Sequence, residues 1–376
     1  MKYLIATFLS LGILASCSRL PIDAEQLIEN VPVHADSAIV DSTPTPYLSV
    51  FGVDDILDSD LSSFDSNSTP QTLTTPSEIN LFLPKKMRPG VIPVSYIEDA
   101  CQYLENRWGE GKSTPGTIVV PIMFHSVAKP GWETRDPSAV TRDYFEYFME
   151  TAKKLDYKTI TMEELVNFLT ANAEIPERSM IIILDDRRPG VTELFMPYLE
   201  ENDWTITLGW ITTETTRTGV WETMLALNAT GRLDVQSHGH NHIYIQDYMT
   251  DEMIEEELTM PFPVIEERFG TTPVAIIWPG GNFTETAIGI ARTAGYQVGF
   301  TVFSRGPLLY NWIPLGDQET AVNDPLMVLP RFWSSAAVNA LEEGIAVGEA
   351  ARLDAEAVWS QEMNYLSTYC QAANGN

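Results

Sequence analysis

The chain has 376 residues, of which 44% are hydrophobic, and it carries a formal net charge of −29. So acidic a protein is poorly suited to nucleic acids or polyanionic glycans, because it would be repelled by them. Neutral or partly cationic polymers are better candidate partners. The length leaves room for one large α/β domain after a leader and a linker.

The N-terminus has the pattern of a targeting segment. Met1-Lys2 precedes the apolar run Tyr3–Leu14, which is too short to span a bilayer. Leu14-Ala15-Ser16-Cys17 then resembles a bacterial lipobox. The resemblance implies that residues 1–16 are a signal peptide and that Cys17 carries a lipid, so the protein is expected to be exported and anchored to the cell envelope. A secretory signal with a chance cysteine is the alternative.

Residues 17–85 are rich in Ser, Thr, Asp and Pro, for example Asp41-Ser42-Thr43-Pro44-Thr45-Pro46. This composition buries too little apolar surface to fold alone. We interpret the segment as a tether that lifts the domain, residues 86–376, off the membrane.

Beyond the tether, helical spacing alternates with short apolar runs. Helices are predicted at Val94–Trp108, Thr141–Leu155, Met162–Asn172, Val191–Asn202, Trp221–Ala229, Asp251–Phe269, Thr284–Ala294, Ser335–Gly344 and Ala355–Tyr369. Strands are predicted at Thr117–Phe124, Met180–Leu184, Trp204–Thr212, Leu233–Ser237, Val274–Trp278, Gln297–Val302 and Met327–Phe332. The repeated unit predicts an α/β fold, a deformed (β/α) barrel of about seven parallel strands. A doubly wound sheet is the alternative.

Chemically capable side chains follow several of these strands. The first strand ends at His125, the second ends at Asp185 and Asp186, and His238 and His242 follow another. Sites in barrels and in open α/β sheets lie at this C-terminal edge. Two imidazoles and one carboxylate can hold a metal ion, while the second carboxylate can act as a base.

Four blocks of sequence also carry a family resemblance. They are Val120-Pro121-Ile122-Met123-Phe124-His125, Ile183-Leu184-Asp185-Asp186, Ser237-His238-Gly239-His240-Asn241-His242 and Trp278-Pro279-Gly280-Gly281. In this order and spacing they resemble the polysaccharide deacetylase family, the NodB homology domain of carbohydrate esterase family 4. The resemblance covers roughly Gly116–Gly344.

The resemblance implies a hydrolase that removes N-acetyl groups from an N-acetylhexosamine polymer of the cell envelope or the exterior. Asp186, His238 and His242 would hold a divalent metal, with zinc the first expectation and cobalt, nickel or iron the alternatives. Asp185 would be the general base. His125 would be the general acid, or alternatively a core histidine satisfied by backbone.

Three positions depart from the family pattern. Arg187 stands in place of a glycine, Gly239 in place of Ser or Thr, and Ile277 in place of an arginine that braces the base. Arg331, at the end of the last predicted strand, is the candidate replacement for that brace, and it would favour the ionised form of Asp185. The missing brace at Ile277, the arginine at position 187 and the absence of a histidine after His242, where many family members have one, motivate a rival hypothesis, a catalytically degenerate barrel that binds glycan or a protein partner.

Three further residues are candidates for contacts near the site. Trp278 would stack on a sugar face or, alternatively, pack in the core. His240 would support the ligands or face solvent, and Arg187 would contact substrate or be an exposed loop charge.

With Cys17 assigned to the lipid, two cysteines remain. Cys101 and Cys370 lie in or beside predicted helices at opposite ends of the domain. Because the ends of a domain usually lie close together, we predict that these helices are neighbours and that the cysteines form a disulfide. Two buried free thiols are the alternative.

Overall fold

A computed structural model describes residues 87–186, 188–213 and 218–370. The predicted signal peptide 1–16, Cys17, the tether 17–85 and Arg187 lie outside the described residues. Among the described helices, none is both long and apolar enough to cross a membrane.

Twelve strands fall within the described residues, and most are short. They are β1 (Ile92–Val94), β2 (Ile118–Phe124), β3 (Ser126–Val127), β4 (Ala139–Val140), β5 (Lys158–Thr159), β6 (Arg178–Asp185), β7 (Ile206–Trp210), β8 (Leu233–Ser237), β9 (Ala275–Ile277), β10 (Val298–Phe300), β11 (Ile313–Leu315) and β12 (Phe332–Trp333).

The central sheet runs in the order β12, β2, β6, β7, β8, β9, β10, and every neighbouring pair is parallel. The short β5 pairs with the beginning of β6. Leu329 lies just before β12, and its amide donates to the carbonyl of Gly299 at 2.7 Å while its own carbonyl accepts from the amide of Thr301 at 2.9 Å. This seam links β10 to the segment that enters β12, and β12 pairs with β2. The structure therefore confirms a deformed barrel of seven parallel strands.

Helices surround the sheet. They are α1 (Ala100–Trp108), α2 (Arg142–Lys154), α3 (Met162–Ala171), α4 (Pro189–Asn202), α5 (Thr218–Asn228), α6 (Asp251–Thr259), α7 (Pro261–Phe269), α8 (Glu285–Ala294), α9 (Asp317–Thr320) and α10 (Ala337–Tyr365). Threonine side chains cap the N-termini of several of them by accepting a backbone N–H. These caps are Thr141, Thr161, Thr250 and Thr284.

Strand β6 shows why the barrel strands are continuously apolar. Its even-numbered residues Met180, Ile182 and Leu184 join one buried cluster, and its odd-numbered residues Ile181 and Ile183 join another. Alternate side chains of a strand point to opposite faces, and both faces are covered here. Position 185 continues the odd-numbered row, so the last residue of β6 faces the same side as Ile181 and Ile183.

Two of the predicted helices begin or break differently. The helix predicted from Val94 begins only at Ala100, because residues 92–94 form β1, which pairs antiparallel with β11. Asp99 caps α1 by accepting from the amide of Gln102. The single helix predicted for Asp251–Phe269 is two helices, because Pro261 lacks an N–H and starts a new one.

The C-terminal part of the domain also corrects the prediction. The two helices predicted at Ser335–Gly344 and Ala355–Tyr369 are one continuous helix, α10. Gly344 and Gly348 are packing positions within this helix: a Cβ on Gly348 would lie 2.6 Å from the carbonyl oxygen of Gly116. The strand predicted at Met327–Phe332 is reduced to β12, preceded by a short 3₁₀ helix.

Cys101 in α1 forms a disulfide with Cys370, with the two Cα atoms 5.3 Å apart. Polar contacts join the same regions, since Trp108 donates from Nε1 to Glu362 Oε2 at 2.6 Å and Arg107 pairs with the same carboxylate. The helix before the barrel therefore packs on the end of the helix after it.

We expect that replacing Cys101 and Cys370 by alanine will lower the free energy of unfolding. The bridge closes a loop of 269 residues, and a loop of this size corresponds to about 5 kcal/mol of chain entropy in the unfolded state. Urea unfolding of the two forms measures the difference. If adding a reductant to the native protein leaves its urea midpoint unchanged, the bridge does not stabilise the domain.

Candidate metal centre

The polar residues predicted to carry the chemistry converge at the C-terminal edge of the barrel. Asp185 is the last residue of β6, and Asp186 follows it. His125 follows β2, and His238 follows β8. His242 lies four residues further along the loop after β8. Parallel strands bring these ends to one side of the sheet, which is why residues distant in sequence meet there.

Asp186, His238 and His242 form a compact triangle of ligand atoms. The two histidine Nε2 atoms are 3.2 Å apart. Asp186 Oδ1 lies 3.8 Å from Nε2 of His238 and 3.7 Å from Nε2 of His242. Four-coordinate zinc with bonds of 2.0–2.1 Å separates its ligands by about 3.3 Å. The triangle therefore fits a small divalent cation, with contraction of a few tenths of an ångström on the carboxylate side.

The protonation of His238 suits a metal ligand. Its Nδ1 lies 2.6 Å from the backbone carbonyl oxygen of Ile277. A carbonyl oxygen only accepts, so Nδ1 carries the proton and Nε2 presents its lone pair to the triangle. Burial lowers the pKa of His238, which favours the neutral ring despite the nearby Asp185 carboxylate. Ile277 thus contributes its backbone, although its side chain is no brace.

Asp186 is oriented by an arginine. Arg188 donates to Asp186 Oδ2 from Nε at 3.1 Å and from Nη2 at 2.7 Å. Its Nη1 donates to Ser126 Oγ at 2.9 Å. Oδ2 is therefore occupied, and Oδ1 faces the histidines. The backbone of Asp186 is left-handed (φ 67°), a conformation that aspartate tolerates better than most residues.

Asp185 is buried and paired. It is 1% exposed, and its Oδ1 accepts from Arg331 Nη1 at 2.7 Å. Oδ2 faces His125 Nε2 at 3.6 Å and His238 Nε2 at 3.9 Å. Burial acts to raise the pKa of Asp185, but Arg331 and the histidines outweigh it and leave the pKa below its usual value. The carboxylate is an anion with one oxygen held and the other directed at the site.

His125 lies beside Oδ2 of this carboxylate, whereas Arg331 contacts Oδ1. Its ring stacks on Trp333 with centroids 6.1 Å apart and planes 14° from parallel. Its side chain is 19% exposed, so it borders the open side of the site. Burial lowers the pKa of His125, while Asp185 acts to raise it. His125 is thus placed to exchange a proton with a bound molecule.

The three candidates for contacts near the site have different positions in the structure. His240 turns its Nδ1 to Thr212 Oγ1 at 2.9 Å and lies outside the ligand triangle. Trp278 is fully buried and donates from Nε1 to the carbonyl of Met327 at 2.7 Å. A sugar-stacking role for Trp278 is therefore wrong, because neither ring face is accessible, and the packing alternative describes it. Arg187 lies outside the described residues.

Sequence reasoning missed two residues at this edge. Tyr244 places its ring against His242 with centroids 5.5 Å apart, yet it is 52% exposed. Glu257 in α6 is fully buried, and its carboxylate accepts from the amides of Asn241 and Ile243. A lone aromatic residue in a loop and one glutamate in an acidic helix gave no signal of either position.

A parallel α/β barrel with two carboxylates and two histidines meeting at its C-terminal edge defines a candidate hydrolytic centre. The polysaccharide deacetylase family model matches residues 172–299, and the predicted resemblance is confirmed over this part of the chain. The match includes Asp185, Asp186, His238 and His242, whereas His125 and Arg331 lie outside it. A comparison with curated proteins found no match.

A solved deacetylase structure shows a similar fold. The chain aligns with the Streptococcus pyogenes deacetylase PplD, solved in complex with acetate, at 18% identity and a TM-score of 0.51, covering 62% of this chain and 99% of that one. IcaB from Ammonifex degensii aligns at 18% identity and a TM-score of 0.49, covering 62% and 100%. A polysaccharide deacetylase from Bacillus cereus aligns at 19% identity and a TM-score of 0.47, covering 61% and 69%.

The pair of Asp185 and Arg331 gives a stability prediction that does not depend on activity. Arg331→Met leaves a buried carboxylate without its partner, which typically costs about 3–5 kcal/mol. Arg188→Met is the matched control, because its partner Asp186 is more exposed and such pairs contribute about 1 kcal/mol or less. Denaturant unfolding near neutral pH measures both. A loss for Arg331→Met no larger than that of the control would contradict the assignment.

Proposed function

We propose that this protein is a metal-dependent deacetylase that removes N-acetyl groups from an N-acetylhexosamine polymer of the cell envelope or exterior. The observation that carries the proposal is the ligand triangle of Asp186, His238 and His242 beside the free Oδ2 of Asp185. The family match over residues 172–299 supports deacetylation of a polysaccharide.

The three triangle residues would hold the cation, with zinc the first choice and cobalt, nickel or iron compatible with the same nitrogen and oxygen ligands. A bound divalent cation would supply Lewis acidity at the acetyl carbonyl and lower the pKa of a water molecule in the site. Two contacts orient these side chains. The Ile277 carbonyl accepts from Nδ1 of His238, and Arg188 donates to Oδ2 of Asp186, so that the other polar atom of each side chain faces the triangle.

Asp185 is the proposed general base. Its Oδ2 accepts a proton from the water whose oxygen attacks the acetyl carbon. Arg331 holds Oδ1 and, because a guanidinium stays protonated, keeps the carboxylate ionised at neutral pH. The orientation of the base is therefore fixed before substrate arrives, which is the condition for efficient proton transfer.

His125 is the proposed general acid. When the carbon–nitrogen bond breaks, the amine needs a proton, and the products are acetate and a free amino sugar. His125 Nε2 lies 3.6 Å from Asp185 Oδ2. His125 can therefore receive the proton that Asp185 takes from water and donate it to the leaving amine. Trp333 stacks on the ring and limits its orientation.

The rival function, a degenerate barrel that only binds glycan or protein, is weakened by these contacts. It rested on the missing brace at Ile277, on Arg187 and on the absence of a histidine after His242 in the sequence. Arg331 contacts the base where a brace is needed, and His125 lies beside it. We further propose export and lipid anchoring through Cys17, which the lipobox-like sequence supports.

Two variants should distinguish loss of the metal ion from loss of catalysis. The protein should bind about one divalent ion and release acetate from chitooligosaccharides or peptidoglycan. Asp185→Asn should retain the ion and lose about 10²–10⁴-fold in turnover, because only the base is removed. His238→Ala should lose both ion and activity.

Elemental analysis and acetate assay measure the two properties. His240→Ala is the control, since that ring points to Thr212 rather than to the triangle. If folded protein with bound metal releases no acetate from chitooligosaccharides, peptidoglycan or other N-acetylated glycans, the deacetylase proposal is wrong and the binding function is favoured.

The acid role of His125 predicts a dependence on the leaving group. His125→Ala should slow acetate release from an N-acetylated glycan about 10²–10⁴-fold, because an amine leaves only after protonation. Release from an aryl acetate should be affected far less, since a phenolate departs without a proton. Comparing the two substrates isolates the acid role, and an equal loss on both would assign His125 a different one.

A further inference from the structure

Glycine at position 239 is explained by one side chain from a neighbouring helix. Gly239 has a left-handed backbone (φ 79°), and a Cβ there would lie 2.1 Å from Glu257 Oε1. The space beside residue 239 is therefore filled by the carboxylate of Glu257. A Ser or Thr side chain at this position would collide with that carboxylate.

Glu257 accepts hydrogen bonds from several backbone amides of the loop that carries the two histidine ligands. Its backbone carbonyl accepts from the amide of His240 at 3.0 Å. Its Oε2 accepts from the amide of Asn241 at 2.8 Å, and its Oε1 accepts from the amide of Ile243 at 3.0 Å. Burial raises the pKa of Glu257 above its usual value, and these amides, which favour the charged form, oppose that effect only in part. The amide of His242 contributes in the same direction.

The loop needs such support because His242 has an unusual backbone. Its φ is 60°, and it is the one described residue with positive φ that is neither glycine, aspartate nor asparagine. A left-handed conformation in such a residue costs on the order of 1–3 kcal/mol and persists only where surrounding contacts over-determine it. The carboxylate of Glu257 accepts from the amides on both sides of His242, at Asn241 and Ile243.

We propose that Glu257 is a positioning residue for the metal centre. By holding the amides of residues 240–243, it fixes the left-handed turn that brings Nε2 of His242 to 3.2 Å from Nε2 of His238. Glu257 lies outside the ligand triangle. The inference rests on the proposed function, because it assigns a support to the ligand loop of that site.

Glu257→Gln tests the proposal with little change of shape. A glutamine has one acceptor oxygen and one donor nitrogen, so either the Asn241 or the Ile243 amide would face another donor. Zinc affinity, measured by competition with a chelator, should fall about 10–100-fold, the usual cost of removing a partner that orients a ligand. Glu256→Gln, the same change at the exposed neighbouring position, should stay within about twofold of the native value.

Two further measurements distinguish positioning from general stability. Amide hydrogen exchange in residues 240–243 should be faster in Glu257→Gln without metal, while exchange in β6 stays unchanged. Gly239→Ala, which presses a methyl group on Glu257 Oε1, should also weaken zinc binding. That loss should be smaller when Glu257 is alanine, since contacting residues are not additive. The glycine variant keeps the test open if Glu257→Gln fails to fold.

The outcomes separate the two proposals. Native zinc binding with an unchanged affinity in folded Glu257→Gln or Gly239→Ala would overturn the positioning role and leave the deacetylase proposal standing. A native protein that bound no divalent cation would overturn both. A fall in affinity in both variants, with the Glu256→Gln control unchanged, would support the role.

Discussion

The ion pair between Asp185 and Arg331 is the contact on which the arrangement of the site depends. A carboxylate with 1% exposure is strongly unfavourable unless it is paired and hydrogen-bonded. Arg331 supplies that compensation at Oδ1 and thereby decides which oxygen is directed at the site. Its own position is fixed because Nε donates to the carbonyl of Thr301. The orientation of the Asp185 carboxylate is therefore set by the seam of the barrel.

Each member of the ligand triangle is held by a different element. The carbonyl of Ile277, at the end of β9, fixes the tautomer of His238. Arg188, at the start of α4, occupies the outer oxygen of Asp186. Glu257, in α6, supports the loop that carries His242. Because three separate supports converge, the ligand atoms are preorganised by the fold, and binding a cation requires little rearrangement.

The sequence was sufficient to predict the barrel and the strand ends, because apolar runs with polar ends are local patterns. Other features depend on contacts that no local pattern records. Glu257 has the same identity and helix as its exposed neighbours Glu255 and Glu256, and only the packing of α6 against the loop after β8 distinguishes it. Trp278 lies in a recognisable motif, but the motif does not tell which way its ring faces. The glycines at 344 and 348 lie inside α10 because they pack closely against β2, and this contact is not visible in the local sequence.

The distance along the chain between Asp185 and Arg331 has a consequence for folding. Arg331 follows Asp185 by 146 residues and comes from the last part of the barrel to be synthesised. Until the segment that carries Arg331 has folded onto the barrel, the carboxylate of Asp185 has no guanidinium partner. Fragments that end before position 331 therefore leave Asp185 without this partner, even if most strands have paired. The ion pair of Asp185 with Arg331 forms only when the segment that enters β12 has joined the barrel beside β2.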